Sequence, residues 1–84
     1  MENKVLVTIN VPFLENNFDV YLPVNRKIYS VIKMLNVTLS NITGGAFSQR
    51  DNYALYNGET GSIYDVNLLV RDTDIRNGST IIML

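Results

Sequence analysis

Polar and apolar residues alternate from Lys4 to Val11 (KVLVTINV), so Val5, Val7, Ile9 and Val11 share one face while Leu6, Thr8 and Asn10 share the other. The same period returns in NFDVYL, from Asn17 to Leu22, with Phe18, Val20 and Leu22 inward and Asp19 and Tyr21 outward. Pro12 lacks a backbone donor and ends the first run. A polar-tipped link from Phe13 to Asn17 joins the two runs, which predicts an N-terminal hairpin. The period then changes. Between Pro23 and Ile42 the apolar residues Ile28, Val31, Ile32, Leu35, Leu39 and Ile42 recur at the spacing of one helix face. Pro23 keeps Leu22 extended, Asn25 is the expected N-cap, and Val24 and Tyr29 stand where a hydrophobic staple forms. Asn36, Thr38, Ser40 and Asn41 are poor helix formers, so fraying is expected ahead of Gly44-Gly45.

The rest of the chain reads as short strands and turns. Thr43 to Asn52 is loop chemistry with Phe47 as a lone anchor. Tyr53 to Tyr56 predicts a brief strand closed by Asn57-Gly58. Alternation turns Tyr53 and Leu55 inward, although so short a run leaves the opposite parity, with Ala54 and Tyr56 inward, open. A turn at Thr60-Gly61 precedes a minimal strand at Ser62 to Tyr64. Leu68 to Asn77 offers Leu69 or Val70, and Ile75, as buried points. Ser79 to Leu84 (STIIML) is apolar enough to be placed in the middle of a sheet. One amphipathic helix against several strands, in 84 residues, predicts a single α+β domain, which the resemblance given below makes a mixed four- to five-stranded sheet packed on one helix.

Composition narrows the chemistry. A net charge of −1 provides no basic field for phosphates, so nucleic acid is not an expected partner. No apolar run approaches the length of a membrane span, and the N-terminus has neither an h-region nor a cleavage site; membrane insertion and a signal peptide are not expected. Histidine and cysteine are both absent, which removes the usual general base, the most nucleophilic side chain, thiolate metal ligands and disulfides. Asp72 and Asp74 form a carboxylate pair without further ligands and read as turn caps. Gly44-Gly45 lacks phosphate-loop spacing. Arg26 and Lys27 open the helix against its dipole, as a solvated start or as a partner contact. Three Asn-x-Ser/Thr sequons, at Asn36, Asn41 and Asn77, are read as chance. No catalytic residue, metal ligand or cofactor site is assigned, and the chain is not expected to be an enzyme.

The element order resembles the β-grasp of ubiquitin over nearly the whole chain. A leucine-containing turn with an aspartate, then Ile75, then Asn77-Gly78-Ser79-Thr80 and a terminal apolar strand is similar to the closing segment of ubiquitin-like domains. A KVLVTI first strand, an FDVYLP second strand feeding the helix, and the turn Asp74-Ile75-Arg76-Asn77-Gly78 resemble the YukD/EsaB-like proteins of Gram-positive type VII secretion systems. In a β-grasp the helix covers one sheet face. The other face is then expected to carry Leu6, Thr8, Tyr21, Ala54, Tyr56, Ile82 and Leu84, with Leu6 and Thr8 beside Ile82 and Leu84, as a protein-interaction surface. The resemblance implies a cytoplasmic, accessory or regulatory secretion component. Its implied partners are the secretion ATPase or a pseudokinase-like membrane subunit, with a homodimer as a further candidate. The alternative is a modifier or sulfur carrier, which requires a C-terminal Gly-Gly beyond the Ile82-Met83-Leu84 end of this sequence.

Overall fold

The computed structural model describes residues 3–84. Strands β1 (Lys4–Val11) and β2 (Asn16–Pro23) form the expected antiparallel hairpin. Helix α1 (Ile28–Ile42) follows, then β3 (Leu55–Asn57) and β4 (Thr80–Met83). Short 3-10 turns occupy Pro12–Leu14 and Val70–Asp72. The sheet order is β2-β1-β4-β3, with β4 parallel to β1 and antiparallel to β3. The terminal apolar strand is thus interior, and the architecture is a ubiquitin-like β-grasp. Ser62 to Tyr64 contributes only an isolated bridge, between Tyr56 and Ile63.

Alternation decides the core. Val7, Ile9 and Val11 from β1, Val20 and Leu22 from β2, Leu55 from β3, and Ile81 and Met83 from β4 meet Ile28, Val31, Ile32, Leu35 and Leu39 from α1. Tyr53 and Leu55 are both buried, which settles the parity of the third strand. Val70 and Ile75 close the core from the turn-rich segment, with Leu69 only half-buried.

The helix departs from expectation at both ends. It begins at Ile28 with Lys27 in the cap position, and no side chain caps it. Asn25 lies outside the helix, and Tyr29 is 53% exposed, so neither the predicted cap nor the staple forms. The first free amides are met instead by distant backbone: Ile28 N–H donates to Leu68 O at 2.9 Å and Tyr29 N–H to Val66 O at 3.0 Å. A tertiary strand-like contact, including a bridge between Lys27 and Leu69, replaces the local cap. At the far end Ile42 is helical but exposed, having rotated past the core face. No fraying is seen. Gly45 N–H donates to Ser40 O at 2.9 Å and Gly44 N–H to Asn41 O at 3.3 Å, a Schellman closure. It needs the positive φ of 62° at Gly44, which glycine adopts without a Cβ penalty.

Asn36 and Phe47 tie down the loop that follows. Asn36 Nδ2 donates to Arg50 O at 2.9 Å, and Arg50 N–H donates back to Asn36 Oδ1 at 3.1 Å. A residue of low helix propensity is therefore kept inside α1 as a two-way clamp on backbone. Phe47 is the one buried residue of the 43–52 loop, packing onto the core as its anchor, and its ring stacks on Tyr53 with centroids 5.1 Å apart and meets Phe13 at 5.9 Å.

Candidate protein-interaction face

The face of the sheet opposite α1 is built by the even-numbered residues of β1 and β4 and the odd-numbered residues of β2, an arrangement fixed by the registers. Leu6 pairs with Tyr21, Thr8 with Asp19, and Asn10 with Asn17. Across the parallel junction Thr8 pairs with Thr80 and Asn10 with Ile82. Tyr56 pairs with Ile82 on the far side, and Ala54 exchanges backbone bonds with Leu84 at 2.8 and 3.1 Å. All seven sequence-assigned residues lie on this face.

They do not form the single stripe expected. The parallel register sets Leu6 beside Gly78, whose N–H donates to Leu6 O at 2.8 Å, rather than beside Ile82. Leu6 and Tyr21 make one apolar pair, with Lys4 Nζ 4.6 Å from the Tyr21 ring centroid. Tyr56, Ile82, Ala54 and Leu84 make a second cluster. Leu6 and Asn10 are four residues apart along β1, so the rows they define are separated by about 13 Å at a rise of roughly 3.3 Å per residue. Between the clusters runs a polar band. Thr8 Oγ1 donates to Asp19 Oδ1 at 2.9 Å, and Asn10 Nδ2 donates to Asn17 Oδ1 at 2.6 Å. A shallow depression of about 650 Å³ opens over Leu6, Thr8, Asp19, Tyr21, Asn77 and Gly78. The face is suited to a partner presenting two apolar contacts with hydrogen-bonding groups between them. Asn10, Asn17 and Asp19 belong to it. Alternation places Asn10 and Asp19 outward, but as polar residues they carry no apolar signal of an interface.

A second polar constellation sits beyond β3. Tyr64 Oη donates to Asp74 Oδ1 at 2.8 Å, and Asn57 Nδ2 donates to Asp74 Oδ2 at 3.0 Å. Asp74 therefore ties two segments together rather than capping its own turn. The turn is capped by Thr73, whose Oγ1 donates to Val70 O at 2.6 Å and accepts from Ile75 N–H at 3.1 Å. Among the described residues, no three His, Cys, Asp or Glu side chains gather as metal ligands would.

Burial, and then the hydrogen bond to the Asp74 carboxylate and its charge, push the Tyr64 phenol well above its ordinary 10.0. The folded state holds this proton more tightly than the unfolded chain does. Its stabilising contribution is thus complete below pH 10 and falls as the pH rises beyond it. In an ultraviolet titration one tyrosine should ionise later than the rest, and Tyr64→Phe should remove that late phase. Alkaline unfolding should also be less steep in the variant. Identical titrations would place the raised phenol elsewhere.

No family model matches the chain, and no characterised protein matches it in sequence. Solved structures do match in fold. The ubiquitin-like domain of the Mycobacterium tuberculosis type VII secretion system protein ECCD1 superposes with a TM-score of 0.74 at 15% identity, covering 96% of this chain and 97% of that one. A chain of the MycP5-free ESX-5 inner membrane complex gives 0.79 at 15% identity; 98% of this chain is covered, and it spans 21% of the length of that larger protein. The ubiquitin-like domain of an Arabidopsis thaliana protein gives 0.72 at 18% identity, covering 98% of this chain and 77% of its own. At such identities the likeness is one of fold. Among the described residues, no helix is long and apolar enough to cross a membrane.

Proposed function

We propose that this chain is a non-catalytic interaction module of a bacterial type VII secretion system, of the YukD/EsaB-like kind. It acts on the cytoplasmic side, docking the secretion ATPase or a pseudokinase-like membrane subunit through its open sheet face. The observation that carries this reading is the apolar cluster of half-buried Tyr56, Ile82 and Ala54 with exposed Leu84 on the sheet face away from α1. A β-sheet face that only meets water has no need of that apolar surface. The likeness of fold to ubiquitin-like domains of type VII secretion machinery supports the choice of partner.

Ile82→Asp tests it. The side chain is on the open face, so the charge does little to the monomer but desolvates badly under a partner. Circular dichroism should match wild type, while titration calorimetry against the purified cytoplasmic domains of the ATPase and the pseudokinase-like subunit should lose the wild-type signal. Leu84→Asp, at the exposed end of the same cluster, should act the same way. Lys27→Glu, at the helix start, should bind as wild type does. Retained binding in folded Ile82→Asp, with loss in Lys27→Glu, would move the docking surface to the helix side.

A further inference from the structure

The two edges of the sheet are treated differently by the fold. The outer side of β3 is covered: Tyr64 N–H donates to Leu55 O at 2.9 Å and Asn57 N–H to Ser62 O at 2.8 Å. The outer side of β2 is not. In β1, Thr8 N–H donates to Ser79 O and Leu6 O accepts from Gly78 N–H, so the even residues turn their backbone groups toward β4. The odd residues therefore turn toward β2, where they meet Leu22, Val20, Phe18 and Asn16. The bond from Val24 N–H to Asn3 O, at 3.0 Å, continues that series. This leaves Asn17, Asp19, Tyr21 and Pro23 with their backbone groups directed away from the sheet. Among the described residues these groups have one bond, the local one from Asn17 N–H to Asn16 Oδ1 at 2.8 Å.

We propose that β2 is where two copies of this chain join, running antiparallel with Val20 on the two-fold axis. Asp19 of each copy then faces the partner's Tyr21, and each such pair exchanges both its N–H···O=C bonds. The bonding stops where it should. The outermost pair is Asn17 with the partner's Pro23: proline has no N–H, and Asn17 N–H is already held by Asn16 Oδ1 at 2.8 Å. Charges match in the same register. Lys4, lying over the Tyr21 ring, has its ammonium beside the position of the partner's Asp19. On the helix side Val20, 8% exposed, lies at the axis beside half-buried Phe18. Neighbouring registers are worse. Asp19 on the axis would set two carboxylates face to face, and Tyr21 on the axis would shorten the pairing and oppose Asp19 to a proline. The near-neutral net charge of −1 adds little repulsion between copies. This edge is separate from the open face, and the pairing stands whether or not the secretion reading holds.

Hydrogen exchange across a dilution series, read alongside sedimentation equilibrium, tests the pairing. At the highest concentrations the mass should rise from 9.5 kDa toward twice that value. The Asp19 and Tyr21 amides should gain protection in step, while the Phe18 and Val20 amides, bonded to β1, stay protected throughout. Tyr21→Pro removes the outward N–H together with the ring, leaves the β1–β2 backbone bonds of the even residues in place, and should stay at the chain mass at every concentration. Asp19→Lys should do so too, by opposing the partner's Lys4, and adding Lys4→Asp should restore the dimer. Wild type that stays at the chain mass at the concentrations of an NMR sample would overturn the proposal, as would Asp19→Lys dimers as strong as wild type. So would Asp19 and Tyr21 amides that gain protection only when an extended peptide is added, since the edge would then belong to that ligand.

Discussion

Phe47→Ala is expected to lower the free energy of unfolding by about 3–5 kcal/mol, measured by denaturant titration. Phe47 is 1% exposed although it stands in a loop between Gly45 and Tyr53. Its ring stacks on Tyr53 and meets Phe13 at a tilt, so truncation leaves a cavity that rigid rings cannot collapse to fill. Thr43 Oγ1 accepts Phe47 N–H at 2.9 Å while donating to Leu39 O at 2.7 Å, which fixes the loop to the last turn of α1. A loss below about 0.5 kcal/mol, the range of ordinary surface changes, would mean that the loop does not share the core.

Leu35→Ala is the second large effect, expected at about 2–5 kcal/mol, against no more than about 0.5 kcal/mol for Lys33→Ala. Leu35 is fully buried at the middle of the helix face, between Ile32 and Leu39. Lys33 points the other way, its ammonium 4.6 Å from the exposed Tyr29 ring centroid. Equal losses from the two substitutions would contradict the orientation of α1 on the sheet.

The hairpin, the inward faces of β1 and β2 and the helix were legible because each follows from a period of two or of 3.6, and the interior place of β4 because STIIML is too apolar for an edge. What the pattern could not supply was anything decided by residues far apart in the chain. Asn25 offered a sound local cap, yet the helix starts later because carbonyls of Val66 and Leu68 meet its first amides. Asn36 looked like a weak helix residue, and its use as a backbone clamp depends on where Arg50 arrives. The site was half legible for the same reason. Alternation put Leu6, Thr8, Tyr21, Ala54, Tyr56, Ile82 and Leu84 on one face. The offset that brings Thr8 beside Thr80 and Asn10 beside Ile82, and so splits the stripe, is set by a parallel pairing between the two ends of the chain. No local signal encodes it.

The insertion of β4 between β1 and β3 governs how the domain comes together during synthesis. The hairpin and α1 emerge first, but β1 then has one unmatched side, and β3, with only three residues, has no more than its bridge to Ile63 until β4 arrives. Helix α1 waits as well, since its first amides are met only after Val66 and Leu68 have left the ribosome. Most of the order is therefore won in one late step, when the last segment slots into the gap. Closing loops this long is slow compared with forming a helix or hairpin. Nascent chains stalled before Thr80 should be degraded readily by a protease that leaves the finished domain intact.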